Sequence, residues 1–259
     1  MRASDIYEKA QEMNPRPHSD RLVPKQGANR RYGFVDTSGK LVIPYKYNDA
    51  WTFSEGLALV EDKSGHYGYI NEKGETVIPF IYDIARSFSE GLATVRDENH
   101  RYGYINAKGE TVIPFEYDIA YDFSEGLALV KDENERFGVI NPKGETVIPF
   151  EYDFACPFSE GIAVVKRNYT DKSVLFLDPS GNTLPIGDYS DASPCRNGTI
   201  AVKKNGRRGK WGIIDKKGNI IVDFICNHAS PFDNNGLALV TLNGKIFEVT
   251  RDGKDFKIK

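Results

Sequence analysis

The sequence predicts an all-β tandem-repeat protein built from about seven three-stranded antiparallel units. Three observations support this fold class. The 35-residue segment that begins at Tyr67 matches the segment that begins at Tyr102 at 28 positions. Short runs of aromatic and β-branched residues recur at this spacing, separated by glycine-containing turns. No long stretch with the apolar period of a helix lies between them.

Each unit is predicted to form three short strands, which in one regular copy span residues 92–95, 102–106 and 111–115. Gly109 lies in the turn between the second and third strands, at a position that requires a positive φ. Pro114 has no N–H to donate, so the third strand should end there or lie at a sheet edge. The linker over 116–126 leaves room for one helical turn.

The regular copies cover residues 32–166, and degenerate copies continue over 167–259. We therefore expect one repeat domain over 18–259, with residues 1–17 forming a capping helix and a linker. An open, twisted array is favoured because a 35-residue unit is short for a propeller blade of roughly 40–45 residues. The alternative is a closed, propeller-like ring, in which residues 18–31 would pair with the last unit.

The repeated motif itself is specific. It reads aromatic-Gly-x-Ile-Asn/Asp, then Lys-Gly-x-x-Val-Ile-Pro, then Tyr-Asp-x-Ala-x-x-Phe-Ser-Glu-Gly-Leu-Ala-x-Val. This pattern resembles the bacterial WG-repeat family, also called KWG repeats, over residues 18–259. The Trp-Gly pair survives at Trp211-Gly212, whereas the other regular units place Tyr or Phe before the glycine. The resemblance implies a bacterial interaction module without an established common activity.

Composition and charge narrow the classes of partner. The 259 residues are 40% hydrophobic and 27% charged, as in soluble folded proteins, and no apolar run approaches the roughly 18 residues of a membrane helix. The N-terminus has no apolar signal segment, so we expect a cytoplasmic protein, or an exported one if a leader segment has been removed. Residues 1–31, 32–166 and 167–259 carry net charges of +3, −11 and +5. The acidic middle disfavours nucleic acid and favours a basic protein partner or self-association.

The cysteines and histidines indicate neither a metal site nor a cofactor. Cys156, Cys195 and Cys226 are an odd number without ligand spacing, so we expect reduced thiols. Cys195 takes a repeat position held elsewhere by Phe, and Cys226 takes one held by Tyr. Both are therefore predicted to be small core residues.

Residues that recur in every unit are predicted to stabilise the stack rather than to perform chemistry. The recurring Phe and Tyr rings should pack between units, and the glycines of the Phe-Ser-Glu-Gly motif should stand where a Cβ would clash. Paired carboxylates of a glycosidase need different environments, which equivalent repeat positions do not provide. The recurring glutamates, or their serine neighbours, are instead predicted to satisfy backbone amides. They are Glu55, Glu90, Glu125 and Glu160.

Positions at which neighbouring units differ are the candidate binding residues. Trp51, Arg86 and Tyr121 follow the recurring Ala of the linker, and these residue types are enriched at binding hot spots. A fixed frame with a varying face is how repeat proteins present binding surfaces. We name these three positions the variable slot and predict that they form a ladder that contacts a partner.

A second candidate is a basic patch, which is a solvated loop or a site for an anionic partner or single-stranded nucleic acid stacked on its Trp. It consists of Lys203, Lys204, Arg207, Arg208, Lys210 and Trp211. Nucleic acid is the less favoured partner. The sequence as a whole favours a non-catalytic scaffold that binds a protein or peptide. The alternatives are a structural spacer or self-assembling module and, less favoured, a hydrolase with a site in the irregular region 167–210.

Overall fold

The structure is a computed structural model that describes residues 22–204, 209–252 and 256–258. Within those ranges the chain forms 26 β-strands in seven antiparallel sheets, and it forms no helix. The predicted all-β repeat architecture of about seven units is confirmed. The capping helix predicted in residues 1–17 lies outside the described residues.

Strands follow one another in sequence order across each sheet. The seven sheets are divided between two compact units of the chain, each of which contains several repeats. The first compact unit contains sheets 1 to 3. Sheet 1 consists of β1 Leu22–Gln26, β2 Tyr32–Asp36 and β3 Leu41–Tyr47; sheet 2 of β4 Asp49–Ala50, β5 Ala58–Glu61, β6 Tyr67–Ile70 and β7 Thr76–Tyr82; and sheet 3 of β8 Ile84–Ala85, β9 Ala93–Arg96, β10 Tyr102–Ile105 and β11 Thr111–Tyr117.

A second compact unit begins at Tyr117 and contains sheets 4 to 7. Their strands are β12 Ile119–Ala120, β13 Ala128–Lys131, β14 Phe137–Ile140 and β15 Thr146–Tyr152; β16 Phe154–Ala155, β17 Ala163–Lys166 and β18 Leu175–Leu177; β19 Asp191–Ala192, β20 Thr199–Lys203, β21 Trp211–Asp215 and β22 Ile220–Cys226; and β23 His228–Ala229, β24 Leu237–Leu242, β25 Lys245–Thr250 and β26 Phe256–Ile258.

Six of the seven described sheets begin with a two-residue strand in the linker. The helical turn for which the sequence leaves room there is not formed, so that expectation is wrong. In sheet 4, Ile119 and Ala120 pair with Lys131 and Val130, so the linker backbone finds its hydrogen bonds in the sheet. The buried Ala120 faces the core, which fixes this short strand in place.

A tight turn joins the short first strand of a sheet to the next strand. In sheet 2, the backbone amides of Ser54 and Leu57 each donate to the other's carbonyl, and Glu55 and Gly56 between them have φ values of 54° and 84°. Two consecutive positive φ values are typical of the type I′ hairpin turn. The space around a Cβ at Gly56 is empty. The predicted steric clash at this glycine is therefore wrong, and the positive φ explains the residue.

The glycine of the aromatic-Gly pair is the one that a Cβ would disturb. At Gly103 in β10, a Cβ would lie 2.8 Å from the backbone oxygen of Ile113 in β11. Gly68 has the same relation to Ile78, at 2.8 Å. The close approach of the two strands therefore requires glycine after the aromatic residue.

The core consists of rings packed between successive sheets, as predicted. Phe34 and Phe53 have ring centroids 5.0 Å apart, and the Tyr82 ring stacks on Phe115 of the following repeat at 6.4 Å. Tyr117 stacks on Phe150 in the same manner at 6.3 Å. Each buried ring stabilises the fold by roughly 1.5–3 kcal/mol. Pro114 is the fourth residue of the edge strand β11, which confirms the edge position and shows that the strand continues past it.

Candidate functional site

Within each compact unit, Ser-Glu-Gly turns connect neighbouring sheets through side-chain hydrogen bonds. In the first unit, the Ser54 hydroxyl donates to the carbonyl of Phe88 at 2.8 Å. The neighbouring Glu55 carboxylate accepts from the Gly91 amide at 3.0 Å. Both partners belong to the next copy of the same turn. We call this pair of contacts the turn latch.

The turn latch recurs in the second unit. The Glu125 carboxylate accepts from the amides of Glu160 and Gly161 at 2.5 and 2.7 Å, and Glu160 accepts from the Gly198 amide at 2.8 Å. The prediction that these glutamates satisfy backbone amides is confirmed at Glu55, Glu125 and Glu160. The carboxylates are therefore part of the frame that holds the sheets together.

Glu160 has the most elaborate surroundings of these carboxylates. Burial works to raise its pKa, but hydrogen bonds from the Gly198 amide and the Cys195 thiol lower the pKa of this carboxyl below its ordinary value. The Lys216 ammonium lies 3.5 Å from the carboxylate and donates to the Glu160 carbonyl at 2.6 Å. A carboxylate held ionised by these donors accepts hydrogen bonds and is poorly suited to act as a general acid.

The thiols are equally unsuited to nucleophilic chemistry. Cys195 and Cys226 are buried, at 1% and 0% exposure, which confirms their predicted core positions. Burial raises the pKa of Cys195 to about 12, with further contributions from Glu160. Burial, and to a smaller extent the negative charge of Asp191, raises the pKa of Cys156 to about 12. Reactive cysteines require the thiolate, which these environments disfavour.

The variable slot lies immediately after the short first strand of each sheet. Trp51 and Arg86 follow β4 and β8 in the first unit, and Tyr121 follows β12 in the second. Each backbone amide donates to a carbonyl of the next strand, as Trp51 does to Leu59 at 3.0 Å. The sheet therefore fixes the backbone of the slot, while its side chain varies between repeats.

All three slot side chains are half-buried. The Trp51 ring lies 5.8 Å from the Tyr67 ring of β6, and Tyr121 packs against the core cluster between sheets 4 and 5. The Arg86 carbonyl accepts a hydrogen bond from the Tyr69 hydroxyl at 2.7 Å. Sequence differences between the repeats identify the slot, whereas the contacts of its side chains with neighbouring rings are seen only in the structure.

The basic patch extends over β20, β21 and the loop between them. Lys203 pairs with Trp211 across the two strands, and the Lys204 ammonium lies 4.3 Å from the centroid of the Phe224 ring. The Trp211 ring meets the His228 ring edge-on at 5.5 Å and is half-buried. The Lys210 carbonyl accepts a hydrogen bond from the Lys204 amide at 3.1 Å. Arg207 and Arg208 lie outside the described residues.

The irregular region that the hydrolase alternative requires contains a shallow, open pocket. It is lined by Phe154, Lys166, Tyr169 and Asp191. The Lys166 ammonium donates to the carbonyl of Ser190 at 3.0 Å, and the Asp191 carboxylate accepts from the Ala192 amide at 2.9 Å. The lining of the pocket thus includes one carboxylate, that of Asp191, which already accepts a hydrogen bond from the local backbone.

Across residues 22–204 and 209–252 and the short last strand, no group of three His, Cys, Asp or Glu side chains is arranged to hold a metal ion. The same portion of the chain has no helix with the length and apolar character needed to cross a bilayer.

Comparisons with known proteins agree on the repeat and the fold. The model of a family described as WG containing repeat matches residues 32–64, 67–99, 102–135, 137–170 and 211–245. No curated protein matches the chain.

Among solved structures, a structure titled as the eukaryotic initiation factor is 12% identical with a TM-score of 0.58, over 91% of this chain and 74% of that one. The computationally designed Ika8 protein is 11% identical with a TM-score of 0.51, over 94% of this chain and 85% of that one. At such low identities the likeness concerns the fold alone.

Proposed function

The chain belongs to the family of WG-containing repeats, and on that premise we propose that it is a non-catalytic scaffold that binds another protein or an extended peptide. The binding residues in this proposal are those of the variable slot, Trp51, Arg86 and Tyr121. In this proposal, the recurring residues of each repeat, which we call the frame, stabilise the fold, and the slot residues contact the partner.

One observation carries the proposal: within a repeat, the recurring polar residues hold neighbouring sheets together, whereas the slot residues vary. The recurring polar groups are engaged by neighbouring sheets, as Glu55 is by Gly91 and Glu125 is by Gly161. The slot side chains differ from repeat to repeat on an otherwise constant backbone. Half-buried Trp, Arg and Tyr side chains provide contact area at low conformational cost, because neighbouring groups already restrict them.

Charge supports a basic partner. Residues 32–166, which contain the whole slot, carry a net charge of −11. A surface of one sign attracts ligands of the other sign and raises the association rate, and salt weakens this effect. Within the slot, Arg86 would pair with a carboxylate of the partner, while Trp51 and Tyr121 would supply apolar contact.

The proposal that the protein is not an enzyme rests on the state of its candidate nucleophiles and acids. The Glu125 and Glu160 carboxylates bind backbone amides, and the Cys156 and Cys195 thiols have raised pKa values. Catalysis of hydrolysis would need at least one such group to be accessible and poised near the working pH.

Photo-crosslinking from the slot tests the proposed function. A photoreactive phenylalanine analogue replaces Trp51 or Tyr121 in the full chain, and the same analogue at Tyr169 serves as the control. Tyr169 is 71% exposed and lies outside the slot. We expect the two slot positions to capture the same protein, and Tyr169 not to capture it.

The captured protein is then purified, and its affinity for Arg86→Ala is compared with its affinity for the wild type. A slot contact predicts a loss of affinity of about tenfold or more with an unchanged melting temperature. Equal capture from Tyr169 and the slot, or equal affinity of Arg86→Ala, would contradict the proposed function.

A further inference from the structure

The outer strands of the sheets differ in how they protect their open edge. In β3, β7, β11 and β15 the fourth of seven residues is proline: Pro44, Pro79, Pro114 and Pro149. Proline cannot donate a backbone hydrogen bond, and natural proteins place it on edge strands to prevent pairing with other chains. In β22 of sheet 6 the fourth of seven residues is Asp223.

The equivalent strands show that the backbone N–H of Asp223 is not needed for pairing within sheet 6. Val222 pairs with Ile213 of β21, and the pairing of β22 with β21 contains a β-bulge at this point. The equivalent outer strands β3, β7 and β15 pair with their inner neighbours although proline, which has no N–H, stands at this position. By analogy, the pairing of β22 with β21 does not require the Asp223 N–H, and β22 lies at the end of the strand order of sheet 6.

The same strand presents exposed apolar side chains. Ile220 and Ile225 are 51% and 50% exposed, and Asp223 between them is also exposed. An outer strand that lacks the protecting proline and exposes apolar side chains is suited to the addition of a peptide strand.

The described residues of β21, β22 and the chain next to them are basic. Residues 203–204 and 209–226 contain five lysines and two aspartates. Lys217 is exposed in the turn before β22, and the Lys204 ammonium lies 4.3 Å from the centroid of the Phe224 ring. The Asp215 carboxylate accepts from the amides of Lys217 and Asn219, both at 2.8 Å, and keeps its negative charge, so the lysines exceed the aspartates by three. An acidic segment therefore complements this edge electrostatically.

We propose that the open edge of β22 binds an extended, acidic peptide segment of a partner protein by β-strand addition, with the Asp223 amide as a donor to the added strand. This site is separate from the variable slot and goes beyond the proposed function. The four proline-bearing outer strands are protected against the same pairing, whereas β22 keeps an N–H at the equivalent position.

The test uses a fluorescent peptide of about ten residues that alternates Val and Glu, at low salt, with the full chain. Asp223→Pro installs the proline of the other outer strands, and Asp223→Asn removes the charge but keeps the N–H. We expect the wild type and Asp223→Asn to bind within about threefold of each other, and Asp223→Pro to bind about tenfold more weakly or worse. A peptide with Lys in place of Glu should not bind.

Hydrogen exchange on the wild type provides a readout that does not depend on the folding of the proline variant. Binding of the Val-Glu peptide should slow exchange of the Asp223 amide while leaving residues of β11 unchanged. Equal affinity of Asp223→Pro, no binding by the wild type, or equal binding of the Lys peptide would overturn the proposal. Self-association of the wild type that Asp223→Pro abolishes would identify a second copy as the occupant and would also overturn it.

Discussion

The Gly161 amide donates a hydrogen bond of 2.7 Å to the carboxylate of Glu125, which lies in the preceding copy of the same turn. The Glu160 amide donates to the same carboxylate. One carboxylate thus accepts hydrogen bonds from two backbone N–H groups of the next sheet and fixes the distance between the two turns. The motif that looks most like catalytic machinery in the sequence serves to hold successive sheets together.

Replacement of this carboxylate should weaken the stack. Because Glu125→Ala leaves two amides without their acceptor in a partly exposed site, we expect the free energy of unfolding to fall by about 1–3 kcal/mol. Urea denaturation followed by far-UV circular dichroism measures the change. Glu133→Ala, at an exposed loop position, is the matched control and should leave the midpoint unchanged. Equal midpoints for both variants would mean that the turn latch contributes nothing to stability.

The two classes of glycine should respond differently to substitution. Gly103→Ala introduces a Cβ 2.8 Å from the Ile113 carbonyl oxygen, whereas Gly126→Ala meets open space but must adopt a φ of 74°. We expect Gly126→Ala to cost about 1–2 kcal/mol and Gly103→Ala to cost more, because backbone must move. Asn tolerates a positive φ, so Gly126→Asn should be milder than Gly126→Ala. Urea midpoints that place Gly126→Ala below Gly103→Ala would contradict this assignment.

Stability should decline at alkaline pH because of the buried Cys195 thiol. Its pKa is about 12 in the folded chain against an ordinary value of 9.0. Below pH 9 the thiol is protonated in both states, so it adds no pH dependence. As the pH rises above 9, the unfolded chain loses the proton first, and the free energy of unfolding falls until the pH approaches 12.

The matched comparison for this prediction is Cys195→Ala. Between pH 8 and pH 10, the wild type should lose about 1 kcal/mol more than the variant, as urea midpoints at each pH would measure. Parallel pH profiles for the two proteins would show that Cys195 does not titrate differently in the folded and unfolded chains.

The repeat itself accounts for most of what the sequence predicts. Tyr82 and Phe115 recur at fixed spacing, so the sequence identifies them as core rings, and they stack. The two-residue strand at Ile119–Ala120 escapes prediction, because such a short strand has no periodic pattern. The type I′ turn at Glu55 also escapes prediction, because a non-glycine residue rarely adopts a positive φ.

At the candidate site, too, the sequence predicts some features and leaves others to the structure. Alignment of the repeats identifies Trp51 as a variable position, because it lies between the constant Ala50 and Phe53. Its contact with Tyr67 depends on how β4 and β6 are aligned within sheet 2, which local sequence does not encode. Asp223 is similarly visible as a departure from proline, but its significance depends on the place of β22 at the end of the strand order of sheet 6.

The most direct test of the central claim, that frame residues stabilise and slot residues bind, is a substitution scan with two readouts. Each variant of the full chain is scored for soluble folded abundance and for binding of the protein that crosslinks to the slot. We expect substitutions at Phe88, Glu125 and Gly103 to lower both readouts together, and substitutions at Arg86 and Tyr121 to lower binding at nearly unchanged abundance. If Arg86 and Tyr121 variants retain full binding, or if one carboxylate variant at normal abundance abolishes an enzymatic turnover, the account is contradicted.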